Sequence, residues 1–200
     1  MNEQLRPVSL PATTQAAEGL PRRRWSVAEI EAMVAKGIIL EDERFELIGG
    51  EVVPMSPKGN HHELMKVALN LYWARRLPDD LLFATETTFR LTEDTYLEPD
   101  FVFFPKAAGI PGLNRETAKL VVEIADSSLG FDLGRKAAIY AGFGIPELWV
   151  IDAVRLRTWV HREPGEAAGY RSIVELAADE RLVPQTAAEL AVRLSELELN

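Results

Sequence analysis

Thr95–Lys106 reads TYLEPDFVFFPK. Glu98 and Asp100 bracket a proline, and four apolar residues, Phe101-Val102-Phe103-Phe104, follow at once. A short unbroken run of aromatic and β-branched residues has the composition of a buried strand. A carboxylate at the mouth of such a strand is either a solvated turn residue or a placed ligand.

Downstream, LVVEIADSS (Leu120–Ser128) sets Glu123 in the middle of a second apolar run. Glutamate is poor in strands and almost never fully buried unless paired. Two settings accommodate it. One is an edge strand with Glu123 facing water. The other is an interior strand where a cation, a metal or a proton partners the carboxylate, because leaving it unpaired costs several kcal/mol. Lys136 lies on the helix expected next, one turn before Tyr140 on the same face. If that helix packs back across the sheet, its ammonium reaches the end of the Glu123 strand. Two carboxylates on neighbouring strands can hold Mg²⁺, and a nearby ammonium can position or deprotonate an attacking water. Metal-assisted phosphodiester hydrolysis uses those parts.

Working outward, Ser26-Val27-Ala28-Glu29 has the spacing of a capping box and opens a helix over Val27–Lys36, with Gly37 as its stop. FELIGGEVVPM predicts strands Phe45–Ile48 and Glu51–Met55 joined by a tight Gly49-Gly50 turn. Glu46 is a polar position of that hairpin or, by the two-residue period, an inward one. A second helix is expected from about His61 to Leu77, with the apolar Leu64, Val67, Ala68, Leu71 and Tyr72 at helical spacing. Strands follow at 81–90, 101–104 and 120–124, then a helix between Asp132 and Phe143 that ends on Gly144. ELWVID (Glu147–Asp152), Arg157–Arg162 and Tyr170–Leu176 are further strands, with Trp149 in the core and Tyr140 packing. The tail, 186–199, reads as helical. The order implies an α/β domain with a mixed sheet.

The chain has 200 residues, 47% of them hydrophobic and 26% charged, enough for one core and too apolar for a disordered chain. Residues 1–22 read as a flexible arm and 23–200 as a single domain. Without cysteine there are no disulfides or thiolate metal sites, and three histidines cannot build a structural zinc site alone. No stretch has the length of a membrane span or a secretion signal, so a cytoplasmic location is expected. A net charge of −9 argues against generic nucleic-acid binding. The Arg22–Arg24, Arg75-Arg76 and Arg155/Arg157/Arg162 clusters read as solvated faces. Phosphate-binding glycine loops and GxSxG elbows are absent, so nothing in the sequence supports nucleotide-dependent or serine-hydrolase chemistry.

Taken in order, FELIGGEVVPMSPKGNHHE, LEPDFVFF, LVVEIADSS and DLGRKAAIYAGFGIPELWVID resemble the Uma-type restriction endonuclease family of the PD-(D/E)XK nuclease superfamily, over Arg24–Leu176. The resemblance implies a restriction-endonuclease-like PD-(D/E)XK core, a mixed twisted β-sheet flanked by α-helices. It implies Asp100 and Glu123 as metal ligands together with the backbone carbonyl of Ile124. The superfamily lysine ordinarily stands two residues after the second acid, where this chain has Ala125, and Lys136 takes its place. Glu46 corresponds to a further acid at the site and His62 to a substrate-binding histidine. The expected activity is a Mg²⁺- (or Mn²⁺-) dependent endonuclease acting on DNA as a homodimer, without a small organic cofactor. Two alternatives stand beside it: a catalytically degenerate member that interacts with nucleic acid or serves a structural role, and a hydrolase of another phosphate ester.

Overall fold

A computed structural model describes residues 22–40, 42–165 and 169–199. The arm expected over 1–22 lies outside the described residues except for Arg22, which pairs with Glu51 at 3.2 Å. Helix α1 (Val27–Ala35) begins on the expected capping box: the Ser26 hydroxyl accepts from the Glu29 N–H and the Glu29 carboxylate accepts from the Ser26 N–H. Strands β1 (Phe45–Ile48) and β2 (Glu51–Pro54) form the expected hairpin. Gly49 and Gly50 both take positive φ, 57° and 78°, which glycine alone adopts without Cβ strain.

Helix α2 (Asn60–Ala74) is followed by β3 (Leu81–Ala84), β4 (Phe89–Thr92), β5 (Thr95–Leu97) and β6 (Phe101–Pro105). The single strand expected over 81–90 is therefore two, interrupted where Glu86 enters the left-handed region at φ 48°. Strand β7 (Leu120–Ala125) leads into a helical crossover: α3 (Leu129–Phe131), a π-helical turn (Asp132–Lys136) and α4 (Ala137–Gly142). Strands β8 (Glu147–Asp152), β9 (Arg157–Gly165) and β10 (Gly169–Leu176) complete the sheet.

Six strands in the order β10-β9-β8-β7-β6-β3 form a mixed sheet, with β7 and β8 parallel and the other neighbours antiparallel. A second, four-stranded sheet runs β2-β1-β5-β4. The two-residue alternation of β6 and β7 sorts the core. Phe101, Phe103, Val122 and Ile124 face α2, whereas Val102 and Val121 pack with Tyr140 and Ala141 of α4. Trp73 of α2 meets Phe101 and Phe103 edge-on, with centroids at 5.0 and 5.1 Å. Each such fully buried aromatic contributes about 1.5–3 kcal/mol of hydrophobic stabilisation.

The buried face of α2 carries His62, Met65, Ala68, Leu69 and Trp73, while Leu64, Val67 and Leu71 are exposed. Ala68 and Tyr72 of the apolar set do pack on the core, so the helix is apolar on both sides and spacing alone does not choose the inner face. The tail, expected to be helical, holds only two 3₁₀ turns, Ala188–Leu190 and Leu194–Glu196. It is fastened instead by tertiary hydrogen bonds: Tyr72 Oη donates to Ala191 O at 2.7 Å and Trp73 Nε1 to Leu190 O at 2.9 Å. Bonds of this kind hold the tail's backbone in a path no local propensity encodes.

Candidate active site

Pairing between β6 and β7 reaches Phe101 opposite Val122 and goes no further. One residue earlier, Asp100 continues the ladder with its side chain: the Ile124 N–H donates to Asp100 Oδ2 at 2.7 Å. The other carboxylate oxygen, Oδ1, lies 2.8 Å from His62 Nε2 and 3.1 Å from Lys58 Nζ. Burial opposes the Asp100 charge, but His62, Lys58 and the Ile124 amide together hold its carboxyl below the usual range. Asp100 is thus a placed carboxylate and not a solvated turn residue.

Alternation along β7 sends Glu123 to the face opposite Val122 and Ile124, beneath the crossover helix. Its Oε1 accepts a hydrogen bond from Tyr140 Oη at 2.6 Å and sits 3.0 Å from Lys136 Nζ. The same ammonium lies 2.9 Å from Glu46 Oε1, so Lys136 bridges two buried carboxylates. The inward reading of Glu46 holds, and its Oε1 also accepts from the Glu98 N–H at 3.1 Å. Burial pushes Glu123 up to about 8, against the pull of Lys136 and with further push from Asp100, Asp132 and Glu46. Burial alone would lower Lys136, yet Glu123, Glu46 and Asp132 outweigh it and hold the ammonium above its ordinary range.

Asp100, Glu123, Lys136, Glu46 and His62 all line one cavity of about 480 Å³. The Ile124 backbone stands at its wall, its N–H engaged by Asp100. His62 is buried against Asp100. Asp126 lies against Gly59, with its Oδ2 3.7 Å from His61 Nδ1. A Cβ at position 59 would fall on that carboxylate, and the Asp126 side chain would have to turn aside to admit it.

Three participants escaped sequence reasoning. Lys58 lies in MSPKGN, where no periodicity signals a contact with Asp100. Asp132 is a further buried carboxylate of the cavity, accepting from Ser128 Oγ at 2.5 Å, and burial raises it. Tyr140, expected only to pack, also orients Glu123. A signal existed for both: Asp132, Lys136 and Tyr140 recur every fourth residue and so share one helical face. Among the described residues, no group of three or more His, Asp or Glu side chains is arranged as a metal cage.

The mixed sheet, its crossover helix and the acids gathered at the β6–β7 end define a restriction-endonuclease-like α/β fold. The crystal structure of "a putative nuclease belonging to DUF820" from Anabaena variabilis superposes with a TM-score of 0.61 at 17% identity, covering 81% of this chain and 93% of that one. A family model described as "Uma2: Putative restriction endonuclease" matches residues 28–195, and the chain belongs to that family. No curated protein matches it. No helix among the described residues is long and apolar enough to cross a membrane.

Proposed function

We propose that this protein is a divalent-metal-dependent endonuclease that hydrolyses phosphodiester bonds in DNA. The observation that carries the reading is the convergence of Asp100, Glu123 and Lys136 from a strand mouth, a strand interior and a helix on one cavity. Family membership supports the nuclease class.

The donor set suits Mg²⁺ or Mn²⁺. Carboxylates and a backbone carbonyl are hard oxygen donors, and Mg²⁺ commonly takes one or two carboxylates with water filling the rest. The cavity wall carries Glu46, Asp100, Glu123 and Asp132 against Lys58 and Lys136, and that excess of acid invites a cation. Asp100, Glu123 and the Ile124 carbonyl would hold it. A cation bound there supplies Lewis-acid stabilisation of charge on the phosphate.

Every other part belongs to the chain. Lys136, held above its ordinary pKa, is a poor base. Its role is to orient the attacking water and to offset charge that develops on the phosphate. Glu46 keeps that ammonium in place, Tyr140 orients Glu123, and His62 fixes Asp100. His62 lines the cavity as well, where it could also meet substrate.

Plasmid nicking with Mg²⁺ or Mn²⁺, beside Asp100→Ala and Lys136→Ala proteins, tests the reading. Metal-dependent nicking lost in both variants supports it. No nicking by the unmodified chain and no heat of metal binding would sink it. A second reading, a catalytically degenerate member that keeps the fold for nucleic-acid interaction or a structural role, is favoured by one observation: the Glu123 and Glu46 carboxylates already share an internal counter-ion in Lys136.

A further inference from the structure

Next to Asp100 lies a second charged cluster that the catalytic reading leaves unused. Glu86, on the bend between β3 and β4, sets one carboxylate oxygen among three cations from three different elements. Oε1 pairs with Lys58 of the turn before α2, lies 2.9 Å from Lys66 Nζ of α2, and lies 3.9 Å from Arg44 Nη2 ahead of β1. The Glu86 N–H donates to Pro99 O at 3.0 Å, which ties the cluster to the residue before Asp100. Lys58 spans the two sites, touching both Glu86 and Asp100.

Two features distinguish this from an ordinary ion-pair network. Glu86 holds φ at 48°, a left-handed backbone that L residues other than Asn, Asp and His rarely adopt. Its carboxylate is nevertheless solvent-accessible, with 29% of the side chain exposed, while Lys58 and Lys66 keep only 15% and 16%. A strained, accessible anion thus sits among half-sequestered cations. The cations also repel one another: Lys66 and Arg44 both work against the charge on Lys58, in addition to its burial. Lys66 also pairs with Glu63 at 2.8 Å and Arg44 with Glu98 at 3.3 Å, but Glu86 is the carboxylate that all three cations share, and it marks an anion subsite beside a cavity that would hold a scissile phosphate.

We propose that Arg44, Lys58 and Lys66 bind a backbone phosphate of the nucleic-acid strand adjacent to the scissile one, and that Glu86 fills this subsite until the phosphate displaces it. The proposal rests on the nuclease reading for the class of its ligand. It would also let a chain of net charge −9 bind nucleic acid, because the cations needed are local.

The test is duplex binding by fluorescence anisotropy, with a labelled DNA duplex in EDTA and over a range of salt. Arg44→Gln and Lys66→Gln touch neither Asp100 nor Glu123. Each is expected to flatten the fall in affinity between about 50 and 200 mM salt by about threefold, the share of one phosphate contact. Glu86→Gln is expected to bind tighter than the unmodified chain at low salt. Arg171→Gln, on the remote strand β10 and 69% exposed, is expected to change neither quantity. Unchanged slopes in R44Q and K66Q, equal binding by E86Q, or no duplex binding at low salt would each overturn the proposal. Because binding is read without metal or turnover, a chain that binds as described yet never nicks DNA would overturn the nuclease reading and leave the subsite standing. A chain that nicks DNA with unaltered salt slopes in R44Q and K66Q would do the reverse.

Discussion

Tyr140 donates a 2.6 Å hydrogen bond to Glu123 from the opposite side of the cavity wall, both residues fully buried. The bond joins the crossover helix to the strand it covers. It also fixes which way the carboxylate points, since Lys136 approaches the same oxygen.

Tyr140→Phe removes the hydroxyl and keeps the ring. Glu123 holds its proton in the fold up to about pH 8, and a hydrogen bond to a neutral group contributes about 0.5–1.5 kcal/mol, so the variant is expected to fold and to lose stability within that range. Urea unfolding measures the loss, and calorimetric titration with Mn²⁺ should show weaker binding as Glu123 gains freedom. Full stability together with unchanged metal binding would mean that the hydroxyl does not orient Glu123.

Lys136→Met leaves Glu46 and Glu123 buried without their counter-ion. Breaking a buried pair by removing one partner costs about 3–5 kcal/mol. The double variant Lys136→Met/Glu46→Gln should recover part of that loss, because one of the stranded charges is gone. A double variant no more stable than the single one would contradict the bridging geometry.

The pH dependence follows from Glu123. In the unfolded chain it titrates near 4.5, and in the fold burial pushes it up to about 8. Between those values the folded protein keeps a proton that the unfolded chain has lost, so this contribution is complete below about 4.5 and disappears as pH rises through about 8. Asp132, also raised by burial, acts in the same direction. His161 opposes it at lower pH, because burial depresses that imidazole below 6.5 and its contribution is lost as the pH falls. Above pH 6.5 His161 no longer opposes them. Urea midpoints of the metal-free chain should fall between pH 7 and pH 8.5; midpoints that rise would contradict the raised Glu123.

Glu147 is fully buried and accepts from Trp149 Nε1 at 2.9 Å, from Arg162 Nη2 at 2.7 Å and from the Gln185 N–H at 2.7 Å. It anchors the segment after β10 to β8. Glu147→Ala removes the acceptor of the Gln185 N–H and the Trp149 indole and leaves Arg162, 31% exposed, with only Val183 O, and is expected to cost about 1–3 kcal/mol. Limited proteolysis should then cut after β10 before it cuts the sheet, whereas uniform protection would deny the anchoring role.

Legibility followed the physics of each segment. FVFF and LVVEIA announced strands because aromatic and β-branched runs suit a sheet covered on both faces, and Glu123 stood out as the one charge in its run. The Gly49-Gly50 turn and the Ser26/Glu29 box were readable because both are local chemistry. Lys136 could be placed opposite Glu123 because a helix after a strand must return across the sheet. Elsewhere local pattern lacked the deciding information. Met65, Leu69 and Trp73 are no more apolar than Leu64, Val67 and Leu71, so only the docked sheet chooses the inner face of α2. The contact of Lys58 with Asp100 spans 42 residues and depends on how a turn lands. The break at Glu86 is a strained conformation, which propensity argues against.

Among the described strands, β7 and β8 are the one parallel pair, and the chain between Ala125 and Glu147 is the crossover that makes parallel pairing possible. Asp132, Lys136 and Tyr140 all ride on that crossover. The step that closes the sheet, a long-range pairing of the kind that slows folding, is therefore also the step that delivers the ammonium and the phenol to Glu123. A chain that has not closed its sheet brings neither the Lys136 ammonium nor the Tyr140 hydroxyl to Glu123, so the cluster exists only in the completed fold.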